Sequence, residues 1–329
     1  MNMQTKQRPL PLNQYLNNVS AISYGCMGLG GGWDKTPLTN ENIAQAHQVV
    51  ETALESGINL FDHADIYTLG KAEKAFAKVL TQRPELREKI YIQSKCAIRF
   101  AENGAPKRYD LSAQWVSASV DNILTRLNTE YLDILMLHRP DPLMELDEIA
   151  ETLMKIKNSG KVGHFGVANM HQHQMAYLQS ALDTPLVVNQ IEISLAKLDW
   201  LEEGIMAGNS AGRDINFTAG TLEYCAQHNV QIQAWGSLAQ GLFSGRDASG
   251  ESHAVQATCG LVYKLAAKYQ ASAEAIVLAW LMRHPMRVQP VIGTTNIDRI
   301  KACAQAPQIR LTREEWYQLY ESSRGHELP

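Results

Sequence analysis

The chain is 329 residues long, which suits two average domains or one large α/β barrel and excludes a small stapled scaffold. Lys and Arg total 30 against 34 Asp and Glu, a net charge of −4 with no block of like charge, so neither a nucleic-acid surface nor a polybasic membrane surface is indicated. Hydrophobic residues at 45% and charged residues at 19% exclude a disordered chain and supply material for a large core.

Cys26, Cys96, Cys225, Cys259 and Cys303 are widely spaced and contain no C-x-x-C pair, against both a disulfide framework and a zinc ribbon and in favour of a reducing compartment. The first residues carry no apolar leader and no apolar stretch is long enough to span a membrane, so a cytoplasmic protein is expected.

In chain order, short β-branched runs alternate with segments whose apolar residues recur at helical spacing. Strands are expected over 21–26, 59–63, 90–95, 132–138, 162–167, 186–191, 231–235 and 290–292. Helices are expected over 40–56, 71–80, 112–127, 146–158, 175–181, 218–228, the pair 254–269 and 273–284, and near 313–323. Asn40 and Ser112 are placed as helix caps, and Gly57 and Gly160 follow helix ends.

Strict alternation requires a parallel sheet, and eight repeats favour closure into a (β/α)8 TIM barrel. The expectation is a single domain at 21–329 with a C-terminal helix, preceded by an N-terminal arm at 1–20. Long loops at 201–216 and 241–253 are expected, the first as a mobile flap over the barrel mouth.

Such a barrel gathers its chemistry at the C-terminal ends of its strands. There the second strand ends Phe61-Asp62-His63-Ala64-Asp65-Ile66-Tyr67, the third Gln93-Ser94-Lys95 and the fourth Met136-Leu137-His138-Arg139. Asp62 and Lys95 would neutralise each other across adjacent strands. A Lys95 ammonium beside Tyr67 would lower the phenol's pKa and ease proton donation to a developing alkoxide, while His138 could bond the same oxygen. Taken singly, each of these is equally readable as a rim ion pair or a satisfied core histidine.

These motifs, with Glu73, Ser94-Lys95-Cys96, Asp133 to Pro140, Gly160 to Asn169 and Asn189-Gln190, resemble the aldo-keto reductase superfamily from about Ser23 to Ile300. The D-H-A-D-I-Y and H-R-P-D-P segments are most similar to a bacterial oxidoreductase subgroup. The resemblance implies a (β/α)8 barrel, a nicotinamide cofactor and carbonyl reduction by hydride transfer. By it Tyr67 is the general acid, Asp62 and Lys95 tune it, and His138 orients the carbonyl.

The same resemblance places Asn169 and Gln190 on the nicotinamide carboxamide and Trp235 against the ring, with Gly236, Ser237 and Leu238 beside it. Gly293, Thr294, Thr295 and Arg299 match the segment for the adenosine 2'-phosphate, and an Arg fork suits a phosphate dianion, pointing to NADP(H). Ala168 stands where relatives often carry Ser, Gly293 where some carry Lys, and Cys303 where an amide often sits.

Gly208-Asn-Ser210-Ala-Gly212 satisfies G-x-S-x-G without the strand that a nucleophile elbow needs. Gly28-Leu-Gly30-Gly-Gly32-Trp33 fails the Rossmann spacing and reads as a flexible first βα loop with Trp33 lining the pocket. His171 and His173 lack metal-site company, and Cys96 reads as small packing.

The reading is an NADPH-dependent oxidoreductase reducing an aldehyde, ketone or quinone, acting as a monomer on a small-molecule carbonyl. Trp33, Trp200 and Trp235 hint at an apolar site. One rival is a nucleotide-binding redox-sensing barrel; another is a metal-dependent barrel hydrolase using His63, Asp65 and His138.

Overall fold

The computed structural model describes residues 9–329, so 1–8 of the expected N-terminal arm lie outside the described residues. The strands are β1 (Ser23–Gly25), β2 (Leu60–Asp62), β3 (Tyr91–Cys96), β4 (Ile98–Arg99), β5 (Arg108–Tyr109), β6 (Leu132–Leu137), β7 (Val162–Ala168), β8 (Leu186–Glu192), β9 (Gln231–Trp235) and β10 (Gln289–Ile292). Strands β1, β2, β3, β6, β7, β8, β9 and β10 pair in that order and close into a parallel barrel. All eight expected strands are present, and the expected (β/α)8 architecture is the one observed.

The helices are α1 (Asn40–Glu55), α2 (Lys71–Gln82), α3 (Ala113–Leu127), α4 (Leu146–Asn158), α5 (Gln172–Gln179), α6 (Asp199–Ile205), α7 (Thr221–Gln227), α8 (His253–Tyr269), α9 (Ala273–Met282), α10 (Ile297–Cys303) and α11 (Arg313–Arg324). The cap of α1 is Thr39 rather than Asn40: Thr39 Oγ1 accepts from Asn42 N at 3.3 Å while the Asn42 side chain accepts from Thr39 N at 3.1 Å, a reciprocal capping box. Ser112 caps α3 as expected, accepting from Trp115 N at 3.3 Å. Gly57 and Gly160 follow α1 and α4 with φ of +78° and +79°, a conformation glycine adopts without strain.

Three elements depart from the sequence reading. The β4–β5 hairpin interrupts the connection from β3 to α3, and its two-residue strands are too short to show a period. Helix α10 lies where no helix was expected; it is seven residues long and capped by Asn296, which accepts from Arg299 N at 3.1 Å. The start of the segment 201–216 is helix rather than loop: α6 buries Trp200 and Leu201, and Glu202 accepts from Tyr320 Oη and from Arg324 Nε on α11. A helix with an apolar face and a mostly buried acid has partners to satisfy, so α6 packs on the flank against α11.

Two apolar clusters fill the molecule. The larger lies between sheet and helices; the smaller joins Leu12, Leu16 and Val19 to Leu60, Ile134, Met136, Val187 and Val188. The N-terminal segment is therefore a plug for the barrel. Around it Ser20 N donates to Asn59 Oδ1 at 2.7 Å, Tyr91 Oη donates to Asn17 O at 2.7 Å and Gln289 Nε2 donates to Ser20 O at 2.7 Å, all at strand starts. With the base sealed, the opposite end alone is left for chemistry. Leu12→Ala opens a cavity in this plug and is expected to destabilise the protein by about 2–5 kcal/mol, read from urea unfolding.

Candidate active site

The pairing of β2 with β3 sets Asp62 opposite Gln93, and the period of two places Lys95 on the same inward face one pleat further on. Lys95 Nζ reaches Asp62 Oδ1 at 2.6 Å and Oδ2 at 2.8 Å, His63 O at 2.8 Å and Tyr67 Oη at 3.1 Å. Lys95 is fully buried, and its ammonium spends its donors on four oxygens, which offsets the cost of desolvating it. Burial alone would lower its pKa, but Asp62 and Tyr67 more than reverse this and raise it above the ordinary lysine value.

Tyr67 stands on a strained turn. Thr68 and Leu69 have φ of +46° and +59°, unusual for residues with a side chain, and Gly70 follows at +82°. Thr68 Oγ1 bonds Leu29 O at 3.0 Å, fastening this turn to the first βα loop. That loop needs its glycine: Gly30 has φ of +80°, and a Cβ there would meet the Lys71 backbone at 2.6 Å. The strain is local to the segment that aims the phenol.

The expectation that Lys95 lowers the phenol's pKa is corrected in its net sign. Burial pushes the Tyr67 phenol up and Lys95 offsets only part of it, so the pKa lies above the usual 10.0 and the hydroxyl keeps its proton at neutral pH. His138 follows β6, its ring edge-on to Tyr67 with centroids 6.2 Å apart. Burial, with Lys95 and Arg139 adding, holds its pKa well below the usual 6.5, so this imidazole is neutral.

Asn169, beyond β7 at φ of +59°, donates from its backbone to Gln190 O at 3.0 Å and from Nδ2 to His138 O at 3.1 Å. Its Oδ1 accepts from Trp235 Nε1 at 3.0 Å. One residue thus ties His138 and Trp235 together through its side chain and Gln190 through its backbone. Gly236 at φ of +67° turns the chain after β9, and Ser237 Oγ donates to Val291 O at 3.0 Å, holding the turn with Leu238 against β10. After β10, Tyr24 Oη donates to Thr294 O at 3.0 Å, and Gly293, Thr294 and Thr295 lead into α10. A Cβ at Gly28 would meet Thr295 Cγ2 at 3.0 Å, so the first loop passes close by. Arg299 Nε pairs with Glu274 Oε1 at 3.0 Å and Nη2 donates to Ser244 Oγ at 3.3 Å.

Other expectations change. Trp200 is buried on the flank, edge-on to Trp280 and His284, and lines no catalytic surface. The flank holds a cavity of about 400 Å³ near Trp200, His284 and Trp316, but none of the Asp62, Tyr67, Lys95 and His138 group borders it. His63, Asp65 and His138 do not come together: among the described residues no group of three His, Cys, Asp or Glu could hold a metal. His63 is buried edge-on to Phe76 at 4.6 Å, its pKa lowered to about 3 by burial and Lys95. His171 is the cap of α5. Trp33 is half exposed and joins Met27, Leu69, Phe100 and Leu143 as exposed apolar side chains on loops that follow β1, β2, β4 and β6.

Sequence reasoning missed the support around the quartet. Glu73 is buried and accepts from Ser94 Oγ at 2.8 Å and Arg126 Nε at 2.6 Å. Inside the barrel Gln93, Gln233, Gln190 and Gln289 form one hydrogen-bonded chain that ends on Asp62. Their signal was available, since Gln93 and Gln233 stand two residues before Lys95 and Trp235 and so share their inward face.

Asp65 sits beneath the Tyr67 turn with Oδ1 unpartnered, and burial with nearby Glu73 raises its pKa to about 7. The folded state therefore favours its protonated form, and the associated stability is complete below the unfolded value of 3.8 and lost as pH rises through about 7. Asp65→Asn, neutral at every pH, is expected to raise the melting temperature relative to wild type at pH ~8, with the gain vanishing toward pH ~4 in thermal scans.

The comparisons with known proteins give the family and the fold. Residues 21–324 match the model of the Aldo/keto reductase family. The chain is 34% identical to the 6-dehydroglucose reductase of Agrobacterium fabrum, over 94% of this chain and 96% of that one. It is 33% identical both to the uncharacterized oxidoreductase YcsN of Bacillus subtilis, over 88% of this chain and 92% of that one, and to the oxidoreductase YdhF of Escherichia coli, over 88% and 91%. Among solved structures, a glycerol dehydrogenase from Gluconobacter oxydans superposes with a TM-score of 0.77 at 22% identity, covering 96% of this chain and 95% of that one. An aldo/keto reductase from Klebsiella pneumoniae in complex with NADP and acetate superposes with a TM-score of 0.68 at 23% identity, covering 94% and 93%. With nearly the whole barrel matched and the Asp62, Tyr67, Lys95 and His138 cluster at its mouth, the chain belongs to the aldo/keto reductase family of oxidoreductases.

Proposed function

We propose that the protein is an NADPH-dependent carbonyl reductase in which Tyr67 is the general acid. The observation that carries this is the 3.1 Å contact from Lys95 Nζ to Tyr67 Oη, with Asp62 locking the ammonium from behind. A phenol that keeps its proton at neutral pH is an acid ready to give it up, and the fixed ammonium favours the phenolate that remains. His138, neutral and beside Tyr67, donates a hydrogen bond to the carbonyl oxygen and directs it at the phenol. Asp62 touches no substrate; it holds Lys95 in place.

The residues present fit a nicotinamide cofactor. Gln190 has a side-chain oxygen that takes no donor from the described residues, its backbone carbonyl accepts from Asn169 N, and the Trp235 indole is fixed by Asn169 at the same end of the barrel. Asn169 and Gln190 would hold the carboxamide, Trp235 would lie against the ring, and Gly236, Ser237 and Leu238 would line the strand between. Gly293, Thr294, Thr295 and Arg299 would hold the adenosine end, Arg299 meeting the 2'-phosphate; the NADP named in the Klebsiella pneumoniae complex supports this choice. When bound, NADPH supplies the hydride that ends on the carbonyl carbon.

The apolar rim of Met27, Trp33, Leu69, Phe100 and Leu143 suits an aldehyde, ketone or quinone with an apolar or stackable face. The Agrobacterium fabrum relative's name adds 6-dehydroglucose to the carbonyls worth testing.

Tyr67→Phe keeps the ring and removes the proton donor, so kcat for a responsive carbonyl is expected to fall by about 10²–10⁴-fold while the Kd for NADPH moves little. Turnover equal to wild type would overturn the acid assignment; tight NADPH binding with no turnover of any carbonyl would favour a redox-sensing barrel. Arg299→Ala is expected to weaken NADPH binding by about 10–100-fold and to leave NADH within about twofold, measured by calorimetric titration.

A further inference from the structure

The glutamine chain inside the barrel has a direction. Gln289 Nε2 donates to Ser20 O at 2.7 Å, and a carbonyl can only accept, so Gln289 presents its oxygen to Gln233, whose Nε2 donates to it at 2.9 Å. At the other end Gln93 Nε2 donates to Asp62 Oδ1 at 2.6 Å, and an ionised carboxylate also only accepts. Gln93 and Gln233 then exchange a reciprocal pair, Gln93 Nε2 to Gln233 Oε1 at 2.8 Å and Gln233 Nε2 to Gln93 Oε1 at 3.1 Å.

Gln233 is completely buried and uses all its capacity: two N–H bonds given, to Gln93 and Gln289, and two accepted, from Gln93 and Gln190. Rotating its amide by 180° would set oxygen against oxygen at Gln289 and nitrogen against nitrogen at Gln190. The two acceptors at the ends of the chain therefore fix every amide between them. Gln190 must turn Nε2 inward to Gln233 Oε1, at 3.0 Å, and is left with Oε1 as its unused group, on a residue whose backbone carbonyl accepts from Asn169 N.

We infer that Gln233 is a positioning residue that fixes Gln190 with its oxygen outward, so that the site selects a cofactor ring bearing an N–H donor and disfavours one that offers only acceptors. The inference rests on the cofactor reading above and adds the direction of one hydrogen bond and the residue that imposes it. The carboxamide of NADP⁺ carries the required N–H. In the 3-acetylpyridine analogue a methyl replaces it, and in the nicotinic acid analogue a carboxylate would face the Gln190 oxygen, acceptor against acceptor.

The experiment is calorimetric titration of wild type and Gln233→Met with NADP⁺, its 3-acetylpyridine analogue, its nicotinic acid analogue, and 2'-phospho-ADP-ribose, which lacks the ring. Methionine keeps the volume of the side chain and removes both polar atoms. Wild type is expected to bind both analogues about tenfold or more weakly than NADP⁺. In Gln233→Met the ratios are expected to shrink to within about twofold while 2'-phospho-ADP-ribose binds as in wild type, an outcome that general loosening of the barrel would not give. Ratios in Gln233→Met equal to wild type overturn the inference. So does a wild type that binds the acid analogue as tightly as NADP⁺, and this arm decides the matter even where the variant does not fold. Failure of all the dinucleotides to bind wild type would instead overturn the cofactor reading.

Discussion

The contact between Asp62 and Lys95 is the constraint on which the rest of the site is built. Taking both charges out of water costs several kcal/mol each, and their attraction returns this only when the remaining donors and acceptors are also used. Here they are: the carboxylate takes Gln93 Nε2, and the ammonium reaches His63 O and Tyr67 Oη. Removing either charge would leave the other buried and alone. The pair therefore fixes the register of the interior faces of β2 and β3 and, through Tyr67, the start of the strained turn at Thr68 and Leu69.

Two opposed effects set the phenol's acidity, and their balance suits the proposed proton donation. Burial disfavours the phenolate while Lys95 favours it, and burial wins. A tyrosine ionised at neutral pH would have no proton to give. One buried without a cation would release its proton only at high cost. In the proposed reaction Lys95 would lower that cost at the moment of transfer, while burial, with the same ammonium adding, keeps His138 neutral, as a hydrogen-bonding imidazole instead of a competing acid.

The fold was legible because parallel barrel strands announce themselves twice, as β-branched runs and as segments followed by helices. The cluster at the mouth was legible because Asp, Lys and His are expensive at the ends of buried strands and so attract attention there. Less visible were elements too short to carry a period, the β4–β5 hairpin and α10, and the role of α6, whose polar sequence hides Trp200 and a mostly buried Glu202 whose partners stand on α11. The net shift of the Tyr67 phenol was misjudged for a related reason: a sequence names the neighbouring charge but gives no measure of burial. The N-terminal segment read as an arm because Leu12, Leu16 and Val19 look unremarkable until the barrel they plug is built.

The interior of the barrel changes character along its axis, and this gradient explains how a rigid polar mouth can stand on an apolar base. At the base, aliphatic side chains meet the plug and need no direction. Above them the glutamines replace non-directional packing with bonds that have a donor end and an acceptor end. Such a layer is costly if any member is left unpaired, because a buried amide without partners forfeits its hydration for nothing. Gln233, saturated on both atoms, shows the condition met. An apolar layer of equal volume could support the barrel as well, but it could not transmit orientation: a leucine beside Gln190 would leave that amide free to face either way. The glutamine layer therefore passes the polarity of one backbone carbonyl and one carboxylate across the barrel to the side chain at its mouth.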